Sequence, residues 1–223
     1  MSNAQWGRIA SSAGMTGATV IVLASIVAAV AYTGTNGQTY SPLNHWISEL
    51  GQVSVSELAA VFNMGLVIGG LLFVVFVVGL VVVRSGTLRY LYGAAGIGAG
   101  IAGIGVGTFP MDNLDMHGLA ALTFFNLGWI FVGLASIDFW RRPEARFPRW
   151  LAIIGALTVA AFIGFLLVLA PLLGGEGLAA PEVRPDVWIV PILEWAVLLG
   201  ILGWVFATSW TWWRAAPRQV ATA

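Results

Sequence analysis

The chain of 223 residues has no cysteine and no lysine, and only 9% of its residues are charged. Without cysteine there are no disulfides, no thiol nucleophile and no thiolate metal site. An average soluble domain carries roughly 25% charged residues, so this chain has too few to cover a water-exposed surface. The formal net charge is zero. Nothing draws the chain to a polyanion, and no nucleic-acid partner is expected. What fills the space is apolar: 59% of the residues are hydrophobic. The solvent that suits such a surface is lipid.

A helix crossing a bilayer needs roughly 20 predominantly apolar residues. Six stretches qualify, at about 9–32, 57–83, 88–109, 117–140, 150–173 and 187–213. The segments between them carry turn and charge signals: Ser85-Gly86-Thr87, Phe109-Pro110-Met111-Asp112-Asn113, Arg141-Arg142-Pro143-Glu144, and the stretch from Gly174 to Asp186. The first stretch is longer than a signal-peptide core of about 7–15 residues and reads as a retained first helix. The expected architecture is all-α, a single six-helix membrane bundle over residues 1–223.

Arginine gives the orientation. Under six-span parity Arg8, Arg84, Arg89, Arg141, Arg142, Arg146, Arg149, Arg214 and Arg218 share one side, and only Arg184 falls on the other. Basic residues concentrate in short cytoplasmic loops, so both termini are expected in the cytoplasm of a cell-membrane protein. Trp140, Trp150, Trp210, Trp212 and Trp213 mark the same boundary as an aromatic belt. The acids run the other way. Glu49, Glu57, Asp112, Asp115, Glu176, Glu182, Asp186 and Glu194 map to the outer half, while Asp138 and Glu144 map inward. Both histidines, His45 and His117, are outer as well. Asp138 is expected to pair with Arg141 or Arg142 at helical spacing.

Gly93, Gly96, Gly100, Gly103 and Gly107 alternate spacings of three and four along the third span. They form a seam that lets a neighbouring backbone approach closely, as does the Gly65–Gly69 pair on the second. Asn63 and Asn126, in the second and fourth spans, are expected to hydrogen-bond between helices. No internal repeat is visible.

Two outer segments carry candidate chemistry. In Ser41-Pro42-Leu43-Asn44-His45-Trp46-Ile47-Ser48-Glu49-Leu50-Gly51, Leu43, Trp46, Ile47 and Leu50 recur at i, i+3, i+4 and i+7. This predicts a short amphipathic helix with His45 and Glu49 adjacent on its polar face, either meeting water or forming a bonded or cation-binding pair. Ser54-Val55-Ser56-Glu57 fits a capping box for the second span. In Phe109–His117, Asp112, Asn113 or Asp115 could cap the fourth span. His45, Glu49, Asp112, Asp115 and His117 are residue types that bind zinc and other divalent metals, and could converge above the bundle. Glu194 sits a turn or two below the outer surface, where a buried acid is a functional candidate; it could line a cavity or pair with Arg184.

The Ser41–Gly51 segment followed by Val61-Phe62-Asn63-Met64-Gly65-Leu66, and Gly107-Thr108-Phe109-Pro110-Met111-Asp112 followed by His117, resemble the hallmarks of a prokaryotic six-helix membrane family known only as DUF998. The likeness covers most of the chain, with little from the last two spans. A more distant likeness is to six-helix membrane proteins of the autophagy-modulator and GPI-remodelling type, carried by the Ile-Ser-Glu segment and by His117 before Phe124-Phe125. That likeness implies lipid-related work and supplies no catalytic residues.

Three readings follow. The first is a binding or organising protein whose outer pocket, with Ser48, Glu49, Asp112, Asn63, Asn126 and Glu194, takes a lipid headgroup, a cation or a membrane-protein partner. The second is a metal-assisted hydrolase or transferase acting on outer-leaflet lipid, with Ser48 as a polar contact or nucleophile. The third is a proton-coupled transporter using Glu194, Asn63 and Asn126. The cysteine-free chain allows the orientation to be checked directly. A membrane-impermeant maleimide added to intact cells is expected to label Asn36→Cys and to leave Ala145→Cys unlabelled until the membrane is opened.

Overall fold

The computed structural model describes residues 2–173 and 184–215. Glu176, Glu182 and Arg218 lie outside the described residues. Six α-helices follow one another: α1 (Asn3–Ala31), α2 (Ala59–Val83), α3 (Leu88–Thr108), α4 (Leu114–Arg141), α5 (Arg149–Leu169) and α6 (Ile189–Ala215). A 3₁₀ helix, Ile47–Gly51, interrupts the α1–α2 connection, and a 3₁₀ turn at Ala170–Leu172 extends α5. All six α-helices are long and apolar enough to cross a membrane. The described residues form no strand, only an isolated bridge between Glu144 and Phe147.

Helix boundaries follow capping chemistry. α1 begins earlier than its apolar run because Ser2 and Gln5 form a capping box: the Gln5 N–H donates to Ser2 Oγ at 3.3 Å, and the Ser2 N–H to Gln5 Oε1 at 2.8 Å. α4 begins three residues before His117 because Asn113 Oδ1 accepts the Met116 N–H at 3.3 Å. The capping box expected at Ser54–Glu57 does not form. α2 starts at Ala59, with Leu58 at the cap position and no side-chain cap bond. Glu57 is exposed and accepts from Thr33 Oγ1 at 3.4 Å instead.

Each helix packs on its neighbours in sequence, and α1 packs on α6, so the six close into a ring. Segments 32–58, 109–113 and 184–188 meet at one end, the loop-1 face. Segments 84–87 and 142–148 meet at the other, the arginine face, where Gly7 of α1 also lies against Trp212 of α6. Large apolar side chains such as Leu157 and Leu167 point outward, as lipid requires. Lipid tails are as apolar as leucine, so close packing must hold the ring together. The α3 seam supplies it. A methyl group on Gly100 would stand 2.6 Å from Val74 of α2, and one on Gly107 would stand 2.6 Å from the Asn63 carbonyl oxygen. Gly103 differs, since its nearest neighbour would be Phe124 at 3.8 Å.

The ring axis is filled unevenly. Near the arginine face, Phe139 stacks on Phe147 at 4.9 Å and on Trp204 at 5.9 Å, and Phe131 meets Trp204 edge-on at 5.5 Å. Arg84 closes this end and is only 2% exposed. Its guanidinium donates to Asp138 Oδ2 at 2.7 Å, to Glu144 Oε1 at 2.5 Å and to the Arg142 carbonyl at 3.0 Å. It also lies over the Phe147 ring at 5.3 Å. Asp138 pairs with Arg142, as helical spacing predicts, and additionally with Arg84. A buried charge needs compensating partners, and Arg84 finds them at the end of α4 and in the loop that follows it.

The Gly107 contact involves backbone that cannot swing away. Gly107→Ala is expected to destabilise the purified protein by about 1–3 kcal/mol. Gly118→Ala in α4, which meets nothing within 4 Å, should leave the thermal unfolding midpoint unchanged or raise it.

Candidate functional site

The segment between α1 and α2 folds inward over the ring. The regular amphipathic helix expected over Ser41–Gly51 is replaced by a turn followed by the 3₁₀ helix Ile47–Gly51. The reason is the fate of Glu49. Instead of facing water it is buried, and its two oxygens receive four donors. Oε1 accepts the Trp46 N–H at 2.9 Å and Arg184 Nη1 at 2.9 Å; Oε2 accepts Tyr32 OH at 3.0 Å and Arg184 Nη2 at 2.7 Å. The result is a bidentate, charge-assisted pair of the strong kind. The sequence allowed Arg184 to pair with Glu194; it pairs with Glu49.

His45 precedes the 3₁₀ helix and is 3% exposed. Its Nδ1 lies 2.7 Å from Asn44 Oδ1 and 3.3 Å from the Ser41 N–H, and its buried Nε2 has no partner. Its ring packs against Tyr32 and Tyr40 at 5.5 and 5.3 Å. Burial lowers the imidazole pKa below its ordinary value, with Glu49 opposing and Arg184 assisting. Burial, with the nearby carboxylates, also holds the Tyr32 and Tyr40 hydroxyls well above the usual phenol range. Tyr40 OH accepts the Trp195 Nε1–H at 2.9 Å and donates to the Trp46 carbonyl at 3.2 Å, tying the segment to α6.

Three further anchors hold this roof. Asn63 Nδ2 donates to the Gly51 carbonyl at 2.8 Å, so this asparagine fastens loop to helix instead of helix to helix. Asp112 accepts the Val53 and Ser54 N–H groups at 2.7 and 3.0 Å. Partial burial pushes its carboxyl up, but these hydrogen bonds together outweigh it and leave the pKa below the ordinary value. The Trp188 N–H donates to the Leu43 carbonyl at 2.8 Å.

Glu194, on the first turns of α6, is 7% exposed and reaches the underside of the roof. Its Oε2 accepts the Ile47 N–H at 2.8 Å, while Oε1 has only Ser48 Oγ at 3.5 Å. Beneath it lies an axial cavity of about 110 Å³, lined by Gly14, Gly17, Gly103, Phe124 and Val197 among other apolar residues. A second cavity of about 60 Å³ lies between α4 and α5, lined by Trp46, His117, Gly118, Phe165 and Leu169. Glu194 and Ser48 line both. His117 Nδ1 lies 2.8 Å from the Phe109 carbonyl, so this nitrogen carries the proton.

Of the five residues considered for a metal, His45, Glu49, Asp112 and His117 have separate partners. Glu49 is engaged by Arg184, Asp112 by loop-1 amides and His117 by Phe109, and Asp115 is exposed in the first turn of α4. Among the described residues no three His, Asp or Glu side chains are grouped to hold a metal ion. Asn126 is exposed and donates to Leu122 of its own helix at 2.8 Å; it does not bridge helices. The features missed from sequence are Tyr32, Tyr40 and the Gly14–Gly17 wall of the cavity. The signal for Arg184 was present, as the one arginine among the acids.

Glu49→Gln would leave a largely buried guanidinium without its charge partner. It is expected to cost about 3–5 kcal/mol, seen as a lower thermal midpoint, and to speed thiol labelling at a cysteine placed at Leu50.

No curated protein and no solved structure matches the chain. The family model described as "Protein of unknown function (DUF998)" matches residues 16–211. With six helices long and apolar enough to cross a membrane and that match over nearly its full length, the chain belongs to the DUF998 family.

Proposed function

We propose that the protein binds a lipid-class amphiphile at the loop-1 face, on the outer side of the cell membrane. The apolar part of the ligand occupies the axial cavity and its polar end lies beneath Ile47 and Ser48. The observation that carries this reading is Glu194, a buried carboxylate which, with Ser48, heads a cavity whose other lining residues are apolar. Ligand sites combine apolar walls with a few placed polar groups, and acids within a membrane are costly unless used.

Volume limits the ligand. A cavity of about 150 Å³ takes up benzene, so about 110 Å³ limits the buried part to a short stretch of chain. A longer tail continues through the second cavity, which shares Ala121 and Phe125 with the first.

Binding has better support than catalysis or transport. Neither histidine is hydrogen-bonded to a hydroxyl nucleophile among the described residues: His45 bonds Asn44 and Ser41, and His117 bonds Phe109. A transport path would have to run through the axis where Phe131, Phe139, Trp204 and Trp212 are buried.

Gly103 is the position at which the cavity can be filled without disturbing a helix contact. Native mass spectrometry of the protein from lipid nanodiscs is expected to show bound amphiphile for the wild type. Occupancy should fall at least tenfold for Gly103→Leu and be unchanged for Gly203→Leu, whose side chain enters open space on the lipid side. Equal occupancy in all three would refute the cavity as the site.

A further inference from the structure

Glu49 and Glu194 are both buried carboxylates at the loop-1 face, and they are satisfied very differently. Glu49 receives four donors between 2.7 and 3.0 Å. Glu194 receives one good bond, from the Ile47 amide, and a second at the limit of hydrogen-bond distance, from Ser48. Leaving a buried acceptor short of donors costs free energy, and of these two acids only Glu194 borders the cavities. The only other ionisable side chain lining either cavity is His117, among the described residues. Because its Nδ1–H is committed to the Phe109 carbonyl, Nε2 of the neutral ring is an acceptor. The polar side chains at the junction of the two cavities are Glu194 and Ser48, with His117 on the wall of the second alone.

Positive charge is absent from it. No described arginine lines either cavity, and Arg184 already gives Nη1 and Nη2 to Glu49. A phosphate or carboxylate head would find no cation there to pair with.

Resting on the lipid-binding reading above, we infer that the ligand is a single-chain amphiphile whose head donates hydrogen bonds and carries no negative charge, an amine or an alcohol. The head is received by Glu194 Oε1 and His117 Nε2. The small summed volume of the two cavities argues for one chain. The tail leaves toward lipid between α4 and α5, where the partly exposed Leu114 and Leu173 flank the second cavity.

The test uses three photoreactive probes that share one diazirine-bearing dodecyl chain and differ only in the head: amine, alcohol or carboxylate. Each is added to the full chain in uncharged phosphatidylcholine nanodiscs, irradiated, and the labelled peptides are mapped. Amine and alcohol are expected to label cavity-lining peptides of α4 and α6 at least tenfold more than the carboxylate. Glu194→Gln keeps an acceptor for the Ile47 amide, and it should bring the amine-to-carboxylate ratio to within about threefold. Equal cavity labelling by all three probes on the wild type would overturn the head-group assignment while leaving the cavity as a lipid site. Preference for the carboxylate would overturn it equally. Absence of cavity labelling by any probe would overturn the lipid-binding reading itself. Should Glu194→Gln fail to fold, the wild-type ratio alone decides.

Discussion

A carboxylate removed from water must be given donors, and the four that converge on Glu49 determine the shape of the loop-1 face. Tyr32 contributes from the end of α1, Arg184 from the approach to α6, and the Trp46 amide from the segment itself. Satisfying that one group ties the first connection to the last and draws the chain across the mouth of the ring. It also explains the 3₁₀ geometry. A relaxed amphipathic helix would have left Glu49 on a polar outer surface, whereas the tighter turn points it inward. Trp46, Ile47 and Leu50 are buried by the same movement and form the apolar underside of the roof.

Once the roof is in place, the ring has two unlike halves. At the arginine face, stacked aromatic rings and the Arg84 network fill the axis. Toward the loop-1 face Gly103 leaves room, and Glu194 stands at the top of that room. Close packing and an open cavity therefore come from the same residue type. Glycine at positions 100 and 107 admits a neighbouring helix, while glycine at 103 leaves space. Which role each one plays depends on what lies opposite.

The division between the two acids has functional weight. Glu49 is saturated and acts as an anchor, its charge offset by Arg184. Glu194 retains unused accepting capacity at an apolar site. A buried acid of the first kind supports structure, and one of the second kind is suited to recognition. The proposals for ligand and head group both draw on this difference in hydrogen-bond completeness.

The sequence by itself determined the six spans, the separation of arginines from acids, the α3 seam and the importance of the segment around His45 and Glu49. These are readable because lipid imposes length and apolarity on each helix separately, and because glycine spacing along one helix is a local property. Glu194 could be singled out for the same reason, as an acid where an acid is costly. Only the tertiary structure decided who partners whom. Arg184 chose Glu49 over Glu194, Asp112 reached back to Val53 and Ser54, Asn126 turned to its own helix, and the two histidines took separate partners. Such choices depend on which distant donors and acceptors the ring closure brings within about 3 Å, a condition that no local pattern encodes.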